Sequence, residues 1–393
     1  MPRRRATVQS PGLDELLAAK EMIIVCGTGG VGKTTTAASL GAMAAARLGG
    51  RVLVLTVDPA RRLASAMGIG SFSGDAVQVP VERFADAGLR PRGELWAAML
   101  DTKASWDDLI RRHAPDATVR DTVLANPLYQ NITGRFVHSH DYIAMERLYE
   151  LHASGLYDLV IIDTPPSRNA LDFLDAPARM AEFFGSRLLR WLTVPYRSRL
   201  FTVASKPFYQ VADRVLGSRF LQDIAEFFLL FQSMEAGFVS RARQVEALLT
   251  DPRTSFCVVT TLETAPLVET RFFADALRER GLPLGAIVVN KVLPEGLRDA
   301  RAAAAARALR VDAEGHAAAI ETLVRRPRPA IAGVLTEVAE RFDDVAVVAK
   351  REAERMTEIA GLAPTTAVVP ALDSDVHDLD GLLRLGTYLW RSG

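Results

Sequence analysis

Cysteine is almost missing from this chain: Cys26 and Cys257 are the only two in 393 residues. Each lies inside an apolar run of strand character, Ile23-Ile24-Val25-Cys26 and Phe256-Cys257-Val258-Val259. Isolated thiols with no Cys-x-x-Cys pair and no Cys/His cluster argue against a zinc or iron–sulfur centre made by this chain alone; they read as small core residues. Net charge is missing too. Basic and acidic side chains number 47 each and the formal charge is zero, which argues against a strongly basic nucleic-acid binder and leaves only a local patch open, so no nucleic-acid partner is expected. Apolar runs stop well short of the roughly 18 residues that a membrane-crossing helix needs. The longest are cut by charges such as Glu226 and Glu235, so no transmembrane segment is expected. The start, Met1-Pro-Arg-Arg-Arg-Ala, has no apolar stretch behind it, and Asp14 and Glu15 follow soon after. That pattern is neither a secretory signal nor a transit peptide and points to a cytoplasmic protein.

Hydrophobic residues make up 49% of the chain, enough to bury a large core. Short β-branched runs alternate with long helical stretches, the pattern of a parallel sheet with crossover helices. Strands are predicted at Met22–Cys26, Val52–Val57, Leu95–Leu100, Leu159–Ile162, Ser255–Thr260, Ala286–Val289 and Thr366–Val369. The fold class is therefore α/β, a doubly wound and mostly parallel sheet with an inserted helical subdomain. No Pro/Gly/Ser linker divides the chain, so residues 1–393 read as one domain. Its core strands fall in about 21–100, 157–172, 254–292 and 364–393, with helical insertions at 102–155 and 172–250 and a helical segment at 295–360. Residues 172–240 hold ten of the 17 phenylalanines, among them Phe183, Phe184, Phe227, Phe228 and Phe238. They form either the core of a helical subdomain or, in part, a groove for a partner, since adjacent aromatics such as Phe227-Phe228 point about 100° apart on a helix.

The strongest chemical signal is Gly27-Thr28-Gly29-Gly30-Val31-Gly32-Lys33-Thr34-Thr35, which follows an apolar strand and opens an alanine-rich helix. It satisfies GxxxxGK[ST] in the strand-then-helix context the motif requires. Glycines allow the turn in which backbone N–H groups converge on phosphate oxygens, and the helix N-terminus adds a favourable dipole. Lys33 balances charge on the β- and γ-phosphates, Thr34 offers its hydroxyl to Mg²⁺, and Thr35 reaches the α-phosphate. Two carboxylates end neighbouring strands. Asp58 closes Val52-Leu53-Val54-Leu55-Thr56-Val57 and should border the same pocket, because ligands of doubly wound sheets sit at the carboxyl ends of strands. Asp163 closes Leu159-Val160-Ile161-Ile162, as a Walker B aspartate does, and is the candidate Mg²⁺ carboxylate, acting through a coordinated water. Thr164-Pro165-Pro166-Ser167-Arg168 follows it as a short stiff segment.

Base choice has its own signal. Val288-Val289-Asn290-Lys291 ends the sixth strand, and Leu293 stands where guanine-specific folds place a carboxylate, so adenine is favoured. Asn290 is either the reader of the adenine edge or a strand-end turn residue.

At these residues the sequence resembles the arsenite-pump (ArsA) and tail-anchored-protein targeting (Get/TRC) ATPases, in the deviant Walker A, SIMIBI class of P-loop NTPases that includes MinD and the nitrogenase iron protein. The likeness runs from Gly27 to Trp390. It rests on the glycine loop, on Thr56-Val57-Asp58-Pro59-Ala60 as a first switch and on Asp163-Thr164-Pro165-Pro166-Ser167-Arg168-Asn169-Ala170-Leu171 as a second. Ile143-Ala144-Met145-Glu146 and Thr164-Pro165-Pro166-Ser167 resemble an actinobacterial branch of the family. The resemblance implies ATP and Mg²⁺ as cofactors, Asp58 positioning the attacking water and also serving the metal site, and Asn290 with Pro370-Ala371-Leu372 as adenine-binding elements. It implies a face-to-face dimer, with itself or with a paralogous ATPase, that hydrolyses ATP and handles a hydrophobic protein tail or lipid-like ligand.

The departures are specific. The family's glycine loop carries a lysine at its second position that reaches the partner's nucleotide; here it is Thr28. Arg61, Arg62 and Arg168 are candidate substitutes if they are not solvated surface charges. The paired cysteines of an intersubunit zinc and the clustered thiols for arsenite are missing. A weakly hydrolysing or non-hydrolysing subunit of a heteromeric complex is the alternative.

Overall fold

The computed structural model describes residues 12–57, 62–69, 75–130, 137–165, 174–176, 178–179, 182, 228–229 and 234–390. In chain order its elements are α1 (Leu13–Ala18), β1 (Met22–Gly27), α2 (Lys33–Arg47), β2 (Arg51–Thr56), α3 (Arg62–Ala66), β3 (Val77–Gln78), α4 (Val81–Asp86) and β4 (Glu94–Met99). Next come α5 (Thr102–His113), α6 (Ala117–Ala125), α7 (Val137–Ala153), β5 (Leu159–Asp163), α8 (Glu235–Thr250), β6 (Thr254–Thr260), α9 (Thr264–Glu279) and β7 (Leu284–Val292). After a 3₁₀ turn at Glu295–Arg298 follow α10 (Ala300–Val311), α11 (Ala313–Val324), α12 (Arg328–Ile359), β8 (Thr365–Pro370) and α13 (Leu379–Trp390).

The eight strands form one sheet in the order β3-β4-β2-β5-β1-β6-β7-β8. All seven predicted strands are present. The eighth, β3, is two residues long and antiparallel to β4, too short to leave a periodic signal. Every other pairing is parallel. All residues of β1, β5 and β6 are buried, because helices cover both faces and the strands must be apolar on each side.

The pleat sends alternate residues to two cores. Met22, Ile24 and Cys26 join Trp106, Tyr142 and Phe238 on the side of α5, α7 and α8. Ile23 and Val25 join the alanines of α2 and the leucines of α13 on the other. Helix α2 sits close to both neighbours: a Cβ at Gly41 would strike Val54, one at Gly386 of α13 would strike Met43, and Ser39 Oγ donates to Leu382 O at 2.7 Å. From β1 the chain crosses first to β2 and β4 on one side, returns through β5, and then builds β6, β7 and β8 on the other. The carboxyl end of β1 therefore lies at the point where the winding reverses, where a crevice opens in doubly wound sheets. The aromatic-rich stretch 172–240 lies mostly outside the described residues. Of its phenylalanines, Phe238 is buried against Trp106 and Tyr142, with ring centroids 6.3 and 5.9 Å away.

Candidate nucleotide site

The last residue of β1 and the loop after it hold three glycines at positive φ: Gly27 at 149°, Gly30 at 82° and Gly32 at 97°. A side chain at these angles is strained, and at two of them space forbids it as well. A Cβ on Gly27 would run into the carbonyl of Val259, and one on Gly32 into the Asn290 amide. Gly29 and Gly30 differ, since a Cβ on either would meet nothing within 4 Å. The loop's closed side is thus set by packing and its open side is left clear for a ligand approaching the backbone. Lys33 is buried, and its Nζ folds back to donate to Thr28 O at 2.9 Å. An ammonium held inside a loop of backbone N–H groups at a helix N-terminus favours an anionic ligand.

Asp163 is fully buried at the end of β5, beside Val25 of β1 and Thr56 of β2 in register. Its Oδ2 accepts from Thr34 Oγ1 at 2.6 Å and from Thr56 Oγ1 at 3.0 Å. The loop's threonine and the strand-end carboxylate, separated widely in sequence, are brought together by the fold. Thr56, the first residue of the Thr56-Val57-Asp58-Pro59-Ala60 motif, has no role of its own assigned from the sequence, although a lone hydroxyl at the end of the apolar run Val52-Leu53-Val54-Leu55 is a visible signal. Asp58, Arg61 and Arg168 lie outside the described residues, as does the side chain of Arg62. The backbone reaches Asp58 from Val57, whose N–H donates to Asp163 O at 3.1 Å. Thr35 sits half-buried in the first turn of α2.

On the opposite side of β1, Asn290 is buried at the end of β7 and donates from Nδ2 to Val31 O at 2.8 Å, while its Oδ1 accepts from Lys291 N at 3.0 Å. Lys291 takes a left-handed conformation, φ 61°, and its Nζ donates to Gly30 O at 3.1 Å. Two side chains of the Asn-Lys pair thus brace the glycine loop, a role not read from the sequence. Pro370 pairs with Val292, and Ala371 N donates to Val292 O at 2.9 Å. This carries Pro370, Ala371 and the half-buried Leu372 to the same end of the sheet.

The arrangement fits a nucleoside triphosphate on its own terms. Thr28 Oγ1 and Thr36 Oγ1 are buried at the loop and the helix behind it with no hydrogen-bond partner among the described residues, and such groups are costly unless an acceptor or donor meets them. Thr34 and Asp163 supply hard oxygens of the type Mg²⁺ prefers. Cys26, directly before the loop, is inert: burial pushes its thiol up to about 12, and burial does the same to Cys257.

Comparison with known proteins agrees. The family model described as anion-transporting ATPase (ArsA_ATPase) matches residues 20–314. The chain is 28% identical over 290 residues to the ATPase GET3 of Malassezia globosa, covering 72% of this chain and 77% of that one. It is 24% identical over 279 residues to an ATPase ASNA1 homolog of Entamoeba dispar, covering 69% and 76%. It is 23% identical over 398 residues to the ATPase BagA of Mycobacterium tuberculosis, covering 98% of this chain and 96% of that protein. With the glycine loop, the strand-end aspartate and seven of the sheet's eight strands in the matched span, the chain belongs to the ArsA family of anion-transporting ATPases.

Proposed function

We propose that the chain binds Mg-ATP across the carboxyl ends of β5, β1, β6 and β7 and hydrolyses it as one half of a cytoplasmic dimeric switch coupled to a hydrophobic client. The observation that carries this reading is the Thr34–Asp163 hydrogen bond at the mouth of the glycine loop, set in a chain whose relatives bear the name ATPase.

The roles follow from position. Backbone N–H groups of Gly29 to Gly32 and the N-terminus of α2 hold the β- and γ-phosphates, and Lys33 swings from Thr28 O to balance the charge that moves to the leaving oxygen. Thr34 and Asp163 hold Mg²⁺, which supplies electrostatic stabilisation of the phosphoryl oxygens when bound. Asp58, next along from Val57, orients the attacking water. Asn290 keeps the loop shaped and, with Pro370, Ala371 and Leu372, borders the adenine. Catalysis of this kind is positioning plus electrostatics, with no covalent intermediate.

Thr28 favours a second reading. A neutral hydroxyl cannot supply the transition-state charge of a lysine, which suits a slow or non-hydrolysing subunit paired with a paralogous ATPase. The variant Asp58→Asn separates the two readings when ATP binding and phosphate release are measured together. A hydrolase keeps its affinity and loses turnover by about 100-fold or more. A wild-type chain that binds ATP stoichiometrically and releases no phosphate is the non-hydrolysing subunit.

A further inference from the structure

A cleft of about 530 Å³ lies between the last turn of α5, the second half of α7 and the first half of α8, within the usual range of roughly 300–1,000 Å³ for small-molecule sites. Helix α5 leaves the carboxyl end of β4, and α7 leads down to the start of β5. Their last turns therefore face the amino edge of the sheet, away from the glycine loop. No motif in the sequence marks this place.

Arg241 is the buried cation of the cleft, its side chain only 10% exposed. The Phe238 ring lies 5.2 Å from the guanidinium carbon, and Nε lies 2.6 Å from Glu146 Oε1. These two contacts fix the plane of the group and leave its outer edge over. Nη2 is buried with no hydrogen-bond partner among the described residues. One turn earlier stands Gly237, where a Cβ would lie 3.3 Å from Nη1 and 3.7 Å from Nη2, so the missing side chain keeps the approach to that edge clear. An unmet donor on a buried guanidinium is costly, and a two-pronged N–H edge has the geometry that takes an oxyanion.

The surrounding charges favour the same sign. Both oxygens of Glu150 are engaged by Arg112, Nη1 at 2.6 Å and Nη2 at 3.0 Å, and Arg147 Nη1 adds a third contact at 3.2 Å. Glu146 faces Arg241 and accepts from Tyr142 OH at 3.1 Å. Three guanidinium groups thus share two carboxylates, an excess of one positive charge. His113 at the rim registers it: burial first, and then Arg241 and Arg112, hold its imidazole below the usual range, against the pull of Glu150. Ser240 lines the α8 wall and half-buried Tyr149 the α7 wall, which gives a hydroxyl-bearing residue near the charge and an aromatic surface beyond it.

We propose that this cleft is a second ligand site, which takes a small molecule through a phosphate or carboxylate head group seated on the free edge of Arg241. A ligand held there ties α8 to α7 and α5. The proposal does not depend on the nucleotide reading given above.

The test is thermal melting of the full chain in a Lys33→Ala background, which removes the ammonium of the glycine loop. Inorganic phosphate and acetate are the probes, with chloride holding the ionic strength constant. A ligand that binds only the folded state raises the melting temperature along a saturable curve. That rise is expected with at least one of the two anions, and the tighter of them names the head group. Gly237→Val fills the space at the edge of the guanidinium and leaves the ion pair in place. Arg241→Lys keeps the buried charge and removes the second prong. Each should weaken the apparent affinity about tenfold or more, the effect of one hydrogen bond to a charged group, and its melting curve in chloride alone checks that it folds. An affinity unchanged in both variants overturns the site. So does the lack of a saturable rise with either anion before the cleft is altered, which would mean that Nη2 is met by water alone.

Discussion

Thr34 and Asp163 stand 129 residues apart in the chain and share a hydrogen bond of 2.6 Å. A second hydroxyl, Thr56 Oγ1, meets the same carboxylate oxygen at 3.0 Å. Three strands deliver these groups to one point, since β1 leads into the loop that carries Thr34, β2 ends at Thr56 and β5 ends at Asp163. On the proposed reading, this buried carboxylate exchanges one of its hydroxyl donors for a divalent cation.

Asp163→Asn should therefore uncouple nucleotide binding from magnesium. Asparagine is nearly isosteric and still accepts from Thr56, so the fold is retained, while the anionic ligand is lost. In calorimetric titrations the wild-type affinity for ATP should fall when EDTA replaces Mg²⁺. The variant's affinity should be the same with and without the metal, and turnover should drop by about 100-fold or more. Unaltered magnesium dependence in the variant would take Asp163 out of the metal site.

Gly32→Ala probes the loop from the opposite side. The residue sits at φ 97° as the N-cap of α2, and a Cβ would collide with the Asn290 amide that donates to Val31 O. Strain of about 1–3 kcal/mol and a displaced Asn290 should lower the melting temperature and abolish ATP binding together. Gly30→Ala is the informative control. Its φ is also positive, at 82°, but a Cβ there meets nothing of the protein. It should lose nucleotide affinity with a smaller loss of stability.

How much of this was readable beforehand depends on the range of the contact. The glycine loop and the apolar runs of β1 and β5 are local patterns, and each appears in the structure within a residue or so of its expected place. Asp163 stands out in the sequence as the charged residue that closes an apolar run downstream of the glycine loop, since without that loop such an aspartate reads equally as a turn or helix cap. The contacts of Thr56 and Lys291 are not legible there, because each acts through a partner distant in sequence: Asp163 and Gly30. A helix such as α12 has a sequence periodicity that gives its faces and not its neighbours. Strand β3 escaped because two residues carry no period.

Both thiols should resist alkylation in the folded protein. Cys26 and Cys257 are fully buried, and burial pushes each up to about 12, so neither supplies thiolate at neutral pH. Treatment with iodoacetamide at pH 8 should label neither in the native chain and both after denaturation. The same shift has a stability consequence. A thiol in the unfolded chain ionises near 8.5 while the folded one keeps its proton, so stability should decline as pH rises from there towards about 12. Native labelling of Cys26 at pH 8 would mean that the base of the loop opens to solvent.

The pair Glu146 and Arg241 joins α7 to α8 inside the helical layer. Arg241 Nε lies 2.6 Å from Glu146 Oε1, both residues are buried, and Tyr142 OH donates to Glu146 Oε2 at 3.1 Å. Arg241 also lies over the ring of Phe238, 5.2 Å from its centroid. Burial raises the Glu146 carboxyl above its ordinary range even though Arg241 pulls the other way. Deleting one partner leaves the other charge buried alone, a loss of about 3–5 kcal/mol. Arg241→Met should therefore be strongly destabilising in urea. Adding Glu146→Gln, which still accepts from Tyr142, should recover most of the loss, because the double variant buries no charge. The pH dependence has a definite sign. Without Arg241 the carboxyl rises further, the folded state holds a proton that the unfolded state releases, and stability falls as pH increases through that window. Arg241→Met should thus be less damaging at pH 5 than at pH 8. Equal damage at both values, or a double variant as unstable as the sum of the singles, would show that the two side chains do not act as a pair.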